Sequence, residues 1–132
     1  RAGSTNILHL HGELTKVRST KNPADIFDVG TRPIVAGDCC DLGGQLRPHI
    51  VWFGEQPQFI DEAVYHINST DILIVAGTSL KVYPAAGLID YAPLHSKKYL
   101  IDLDENLVVP GYTVLSGSVD KKLPKLAGDL LV

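Results

Sequence analysis

The chain has 132 residues, of which 45% are hydrophobic and 20% charged, enough apolar content to build the core of one ordinary domain and too much for a disordered chain. The formal net charge is -3, with acidic and basic residues intermixed, which argues against nucleic acid or a membrane surface as a charge-driven partner. No apolar run approaches the ~20 residues of a membrane span and no signal-peptide pattern opens the chain. Methionine is absent, so the chain is expected to start after processing or to be a piece of something longer.

Ile7 to Leu10 is a short apolar run, and His11-Gly12 after it reads as a strand end. Residues 13 to 48 lack periodicity and hold Pro23, Gly30, Pro33, Gly37, Gly43 and Gly44, so they are expected to form loops and short strands. Ile50-Val51-Trp52-Phe53 reads as a buried strand stopped by Gly54. Pro57 can open a helix running to about Asn68, with Phe59, Ile60, Ala63, Val64 and Ile67 on one face. Asp71 to Ala76 is a second buried strand, closed by Gly77, and Pro84 and Pro93 bracket a second helix. Tyr99 to Leu103 and Tyr112 to Leu115 are further strands. Residues 121 to 131 form a last helix with Leu123, Leu126, Ala127 and Leu130 inward and Pro124 in its first turn.

That order predicts an α/β fold whose continuous apolar strands form a parallel sheet covered on both faces. Ligands of such sheets bind past the carboxyl ends of the strands. This singles out His11-Gly12, Gly54-Glu55, Gly77-Thr78-Ser79, Asp102 to Asp104 and Gly117-Ser118-Val119.

Several residues there can do chemistry. A neutral histidine at position 11 is suited to general base work near pH 7, whereas His9 reads as a packed or surface histidine. Gly77 lets the backbone approach a ligand, and the Thr78 and Ser79 hydroxyls can bond phosphate or ribose oxygens, although a plain strand-to-loop turn looks the same. Asp102 and Asp104 can accept hydrogen bonds from ribose hydroxyls, or simply end a strand in solvent. Cys39 and Cys40 are adjacent. The ring they would close is strained, so both thiols are expected free, in a cytoplasmic or other reducing compartment. Two thiols cannot complete a four-cysteine zinc site. His9-x-His11 could instead ligate a metal in a hydrolase, a reading that needs further ligands.

Taken together, these segments resemble the sirtuin family of NAD-dependent protein lysine deacylases. Arg1-Ala2-Gly3-Ser4, Asn6-Ile7 and His9-Leu10-His11-Gly12 resemble the family's stretch around its catalytic histidine. Leu46 to Glu55, reading Leu-Arg-Pro-His-Ile-Val-Trp-Phe-Gly-Glu, is similar to the segment lining its acyl-lysine channel. Gly77-Thr78-Ser79-Leu80 with Val82-Tyr83-Pro84-Ala85-Ala86 resembles its nucleotide-binding turn and peptide-binding loop. The Trp52 form and His11-Gly12-Glu13-Leu14 are most like the bacterial branch that includes desuccinylases.

The resemblance implies the carboxyl-terminal half of a Rossmann-like fold, from residues 1–17 and 49–132. A small zinc-ribbon-like insertion over 18–48 is implied with it. The family's first zinc pair would fall at Ser19 and Asn22, and at most Cys39 or Cys40 is in register for the second. Zinc is therefore not expected, and no metal ligands are assigned. The implied cofactor is NAD, held at its adenosine half by Gly77, Thr78, Ser79, Asp102, Leu103, Asp104 and Val119. Asp102 stands where the family usually has asparagine. The implied partner is an acylated lysine of a protein, its stem walled by Val51, Trp52 and Phe53. The peptide backbone would be received as an added strand by Phe53-Gly54-Glu55 and by Leu80, Val82 and Tyr83. His11 would take a proton from a ribose hydroxyl, and nicotinamide and O-acyl-ADP-ribose would be released. Deacetylation and desuccinylation are both implied. The family's glycine-rich first strand-turn-helix has no counterpart in the sequence, so the amino-terminal half is an expected partner and the isolated fragment is expected to be inactive. As a fragment it could equally be a non-catalytic module that binds ADP-ribose or a peptide.

Overall fold

The stretch expected to hold only loops and short strands carries an eight-residue strand, β1 (Gly12–Ser19). In the computed structural model, which describes residues 3–131, β1 is flanked by β2 (Ile26–Asp28) and β3 (Leu46–Ile50). The order is β2-β1-β3 and both pairings are antiparallel. Val17 and Ser19, two apart on β1, are fully buried, as the period of a strand requires. Pro48 lies within β3, where its missing amide is tolerated because β3 is at an edge of this sheet. These strands belong to the first of two compact units, Arg1–Phe59; the second is Ile60–Val132.

Two expectations in the first unit need correction. Residues 7 to 10 are not a strand that ends at His11; the strand starts at Gly12 instead. The amides of Leu10 and Gly12 are spent on local turns to Leu8 and His9, so they are not free for a ladder. The apolar run from Ile50 to Phe53 is likewise not a strand of a parallel sheet. Ile50 ends β3, and Trp52 to Glu55 fold into a turn closed by the Glu55 amide on the Trp52 carbonyl, 3.0 Å.

The second unit opens with α1 (Ile60–Asn68). It begins three residues after Pro57 because Phe59 has φ +56°, outside the helical region. Ala63 is buried on the face expected, with Ile60, Val64 and Ile67 half-buried beside it, while Phe59 is exposed. Strands β4 (Ile72–Ala76), β5 (Lys97–Asp102) and β6 (Thr113–Ser116) form a parallel sheet in that order. On the central strand, consecutive Leu100 and Ile101 are both 1% exposed, so both faces of β5 are covered, as the α/β reading requires. A 3-10 helix over Ala85–Tyr91 follows Pro84 and stops at extended Ala92, the residue that Pro93 holds out of the helical region. The last helix, α2 (Val119–Leu130), packs on β5 through its buried Leu126. It starts two residues before position 121, so Pro124 falls in its second turn rather than its first. No helix among the described residues is long and apolar enough to cross a membrane.

Candidate functional site

The carboxyl ends of β4, β5 and β6 meet at one cleft of about 350 Å³ in the second unit. Its walls are Gly77-Thr78-Ser79, Ile101-Asp102-Leu103 and Gly117-Ser118-Val119, one segment from each strand. At Gly77, φ is +68° and no atom lies within 4 Å of where a Cβ would be, so the backbone there is open to a ligand. Thr78 Oγ1 accepts the Leu80 amide at 3.2 Å, and Leu80 itself has φ +53°. The Gly117 amide donates to the Asp102 carbonyl at 2.7 Å, tying two walls together. Asp102 Oδ1 accepts the Asp104 amide at 2.8 Å, and its other oxygen has no partner among the described residues. Asp104 is not on the cleft wall; its carboxylate accepts the Asn106 amide at 2.9 Å.

Helix α2 begins at this cleft, and its N-cap Ser118 makes no side-chain capping bond. The first amides of a helix lack internal partners and carry the positive end of its dipole. The cleft thus combines a carboxylate, small residues that admit a flat ring, and uncapped amides. That set suits a sugar bearing vicinal hydroxyls joined to an aromatic base. Gly117 and Ser118, singled out from sequence as a strand end though not assigned to the cofactor, line the wall, and Ile101 completes it beyond the segments read from sequence. Elsewhere in this unit, Val82 and Tyr83 are exposed on the loop after Leu80.

In the first unit, His11 sits exposed in the turn before β1. Its carbonyl accepts the Val51 amide at 3.0 Å, and the Leu10 carbonyl accepts the Gln58 amide at 2.9 Å. Gly12 pairs with Ile50 so closely that a Cβ would lie 2.0 Å from the His49 carbonyl oxygen. The histidine turn is therefore fastened to the segment after β3 through main-chain groups. In that segment Phe53 is 95% exposed and Trp52 about half exposed, while Val51 is half-buried. Trp52 and Phe53 thus place neighbouring apolar side chains at the surface. Glu55 is different: its Oε2 accepts from Arg18 Nη2 at 2.8 Å, Arg47 Nη2 at 2.7 Å and the Trp52 amide at 3.1 Å. The hydrogen bond from Arg47, then that from Trp52, holds its carboxyl below the usual range.

The positions corresponding to a zinc ribbon do not fit zinc. Ser19 Oγ accepts the amides of Lys21 and Asn22 at 3.1 and 3.3 Å and meets Cys40 Sγ at 3.2 Å. Asn22 turns its side chain to Asp25, and Cys39 is an exposed free thiol. Among the described residues no group of three or more His, Cys, Asp and Glu could hold a metal ion. A hydroxyl at the centre of the cluster, in place of a thiolate, supplies no strong zinc ligand. His9 lies 3.6 Å from Glu13, and among the described residues these two and His11 do not form a group that could hold a metal ion.

Residues 1–84 match the Sir2 family model. The chain belongs to the Sir2 family. It is 49% identical over 107 residues to an NAD-dependent protein deacylase of Bacteroides thetaiotaomicron, an alignment that covers 77% of this chain and 46% of that protein. Among solved structures it is similar to a complex of a Sir2 homologue with NAD, at TM-score 0.84 and 34% identity, covering 99% of this chain and 53% of the other. It is also similar to a Sir2 protein bound to a myristoylated histone peptide, at TM-score 0.75 and 27% identity, covering 98% and 59%. The chain spans about half the length of the curated relatives it matches. The α/β architecture expected of a sirtuin is the one observed. Arg1 and Ala2, quoted for the resemblance, and Val132 lie outside the described residues.

Proposed function

We propose that this chain is part of an NAD-dependent protein lysine deacylase. The observation that carries the reading is the cleft formed by all three parallel-strand ends, whose walls include six of the seven residues assigned to the adenosine half of NAD: Gly77, Thr78, Ser79, Asp102, Leu103 and Val119. The residues present fit such a ligand. The carboxylate of Asp102 accepts from ribose hydroxyls, the open backbone at Gly77 lets a ring lie close, and the amides at the start of α2 face the electron-rich side. Asp104 supports the strand-end turn from outside the cleft.

NAD, when bound, supplies an activated ribose that accepts the acyl group as nicotinamide leaves. This chain's own residues bind and move protons. His11 takes a proton from a ribose hydroxyl, a step worth about 10²–10⁴-fold for a well-placed general base. Its exposed ring is free of other hydrogen bonds among the described residues, so nothing competes for the proton. Val51, Trp52 and Phe53 pack against the aliphatic stem of the acyl-lysine. The loop through Leu80, Val82 and Tyr83 offers backbone groups to an extended peptide. The remaining half of the relatives' length is proposed as the partner of this portion. The division into a Rossmann-like part, 1–17 and 49–132, and an inserted module, 18–48, belongs to the same reading. A cytoplasmic or other reducing location is proposed from the free thiols of Cys39 and Cys40.

The test is turnover of acetylated and succinylated peptides by the complete protein, with and without NAD. Release of nicotinamide matched to deacylated peptide is the expected result. Deacylation without NAD, or none with it, would overturn the proposal.

A further inference from the structure

We propose that Glu55, gripped by Arg18 and Arg47, is a positioning residue that sets the loop holding His11 in place. The inference rests on the deacylase reading for its kinetic consequence but not for its geometry. Arg18 and Arg47 are direct cross-strand partners on β1 and β3. Two like charges facing each other across a ladder are unfavourable. Here both guanidinium groups turn to one carboxylate oxygen, at 2.8 and 2.7 Å. Arg18 Nη2 also donates to the carbonyl of Ile50, the last residue of β3, at 3.0 Å.

That same Glu55 oxygen accepts the Trp52 amide at 3.1 Å while the Glu55 amide donates to the Trp52 carbonyl at 3.0 Å. Residues 52 and 55 are thus tied in both directions, and the turn that holds out Trp52 and Phe53 has one shape. The segment is bonded to the histidine turn at both ends: Val51 to His11 before the turn, and Gln58 to Leu10 after it. Gly12 leaves no slack, because its backbone lies against the His49 carbonyl. A shift of the 51–58 segment must therefore move the backbone of Leu10 and His11 as well. Exposed ion pairs add little to stability, and Glu55 is not deeply buried. What the arrangement supplies is geometry, where small misplacements of a reacting group are costly. One oxygen of the Glu55 carboxylate, Oε2, is thus taken up by the protein's own donors.

The test compares Glu55→Gln and Glu55→Ala with wild type in the complete protein. Amide hydrogen exchange over residues 51–58, the thermal transition, and kcat and KM for an acetylated peptide and for NAD are measured. The expected result is at least tenfold faster exchange in 51–58 and a fall in kcat/KM for the peptide of about 10- to 100-fold. The KM for NAD should stay close to wild type, and the thermal transition should fall only slightly at neutral pH, as expected for the loss of an exposed ion pair. Arg47→Lys keeps the charge and loses the planar fork, so it should fall between wild type and Glu55→Gln. If Glu55→Ala does not fold, the isosteric glutamine and the Arg47 variant still decide. Unchanged exchange, or faster exchange with wild-type peptide kinetics, would overturn the proposal. A wild-type protein with no turnover would sink the deacylase reading alone, leaving the exchange measurement to judge the clamp.

Discussion

The hydroxyl of Ser19 lies 3.2 Å from the thiol of Cys40, at the centre of a loop system that also takes the amides of Lys21 and Asn22. Ser19 is 1% exposed, and a Cβ on Gly44 would lie 2.5 Å from its oxygen. A buried hydroxyl therefore holds these loops together by hydrogen bonds. Its contact also holds the Cys40 thiol below its usual pKa.

Ser19→Ala should cost about 1–3 kcal/mol, the penalty of leaving partly buried amides without an acceptor. Urea unfolding of the purified protein measures this. A change of under half a kcal/mol would show that water takes over the two amides at no cost.

Chelation should leave the thermal transition unmoved, because a structural zinc contributes folding free energy outright. Differential scanning with and without a strong chelator, alongside elemental analysis, is the measurement. One zinc per chain together with a large downward shift on chelation would contradict the hydrogen-bonded account.

His11→Ala should abolish NAD-dependent deacylation, by at least about 10²-fold, with the fold intact. The fold is expected to survive because the turn is anchored by the His11 and Leu10 carbonyls and not by the ring. Turnover within tenfold of wild type would remove His11 from the role of base.

Gly12→Ala should be among the harsher single changes, by about 2 kcal/mol or more, since it adds a backbone clash to a φ of +83°. Denaturant unfolding reads the loss. A near-neutral effect would mean that the Gly12–Ile50 pairing relaxes easily.

The pH dependence of stability should carry a trace of Glu55. Its carboxyl is held low by Arg47 and the Trp52 amide, so ionisation is favoured in the folded state. The stabilisation is present above the unfolded pKa and is lost as the pH falls through the folded value. Thermal transitions of wild type and Glu55→Gln, followed from neutral to acid pH, should converge at the acid end. Parallel curves would contradict the sign.

The second unit was largely legible in the sequence. Asp71 to Ala76 and Tyr99 to Leu103 are continuous apolar runs closed by glycine or aspartate, and each lies within about two residues of its strand. Pro84 and Pro93 bracketed their helix because proline acts on the backbone alone. The first unit was harder. Gly12 to Ser19 alternates weakly, and its strand exists because β2 and β3 pair with it, a nonlocal fact. The Ile50-Val51-Trp52-Phe53 run misled because exposed apolar residues look like buried ones in composition. Phe53 is the clearest case. Arg18 carried no signal, and Arg47 stood only as part of the Leu46 to Glu55 segment; their meeting at Glu55 depends on a register that no local pattern encodes. Asp104 was read with Asp102 as a strand-end carboxylate; it does not line the cleft, and its carboxylate accepts the Asn106 amide instead.

The turn at position 11 is held entirely by main-chain groups and by the missing side chain of its neighbour Gly12. Position 11 is therefore a socket into which other side chains can be exchanged without rebuilding the scaffold. On the reading that His11 is the base, a saturation library there would report reactivity and little else, so losses could be ranked by acid–base strength and reach. Installing a carboxylate, an amine or a thiol in the same place would turn one backbone into a bench for comparing bases.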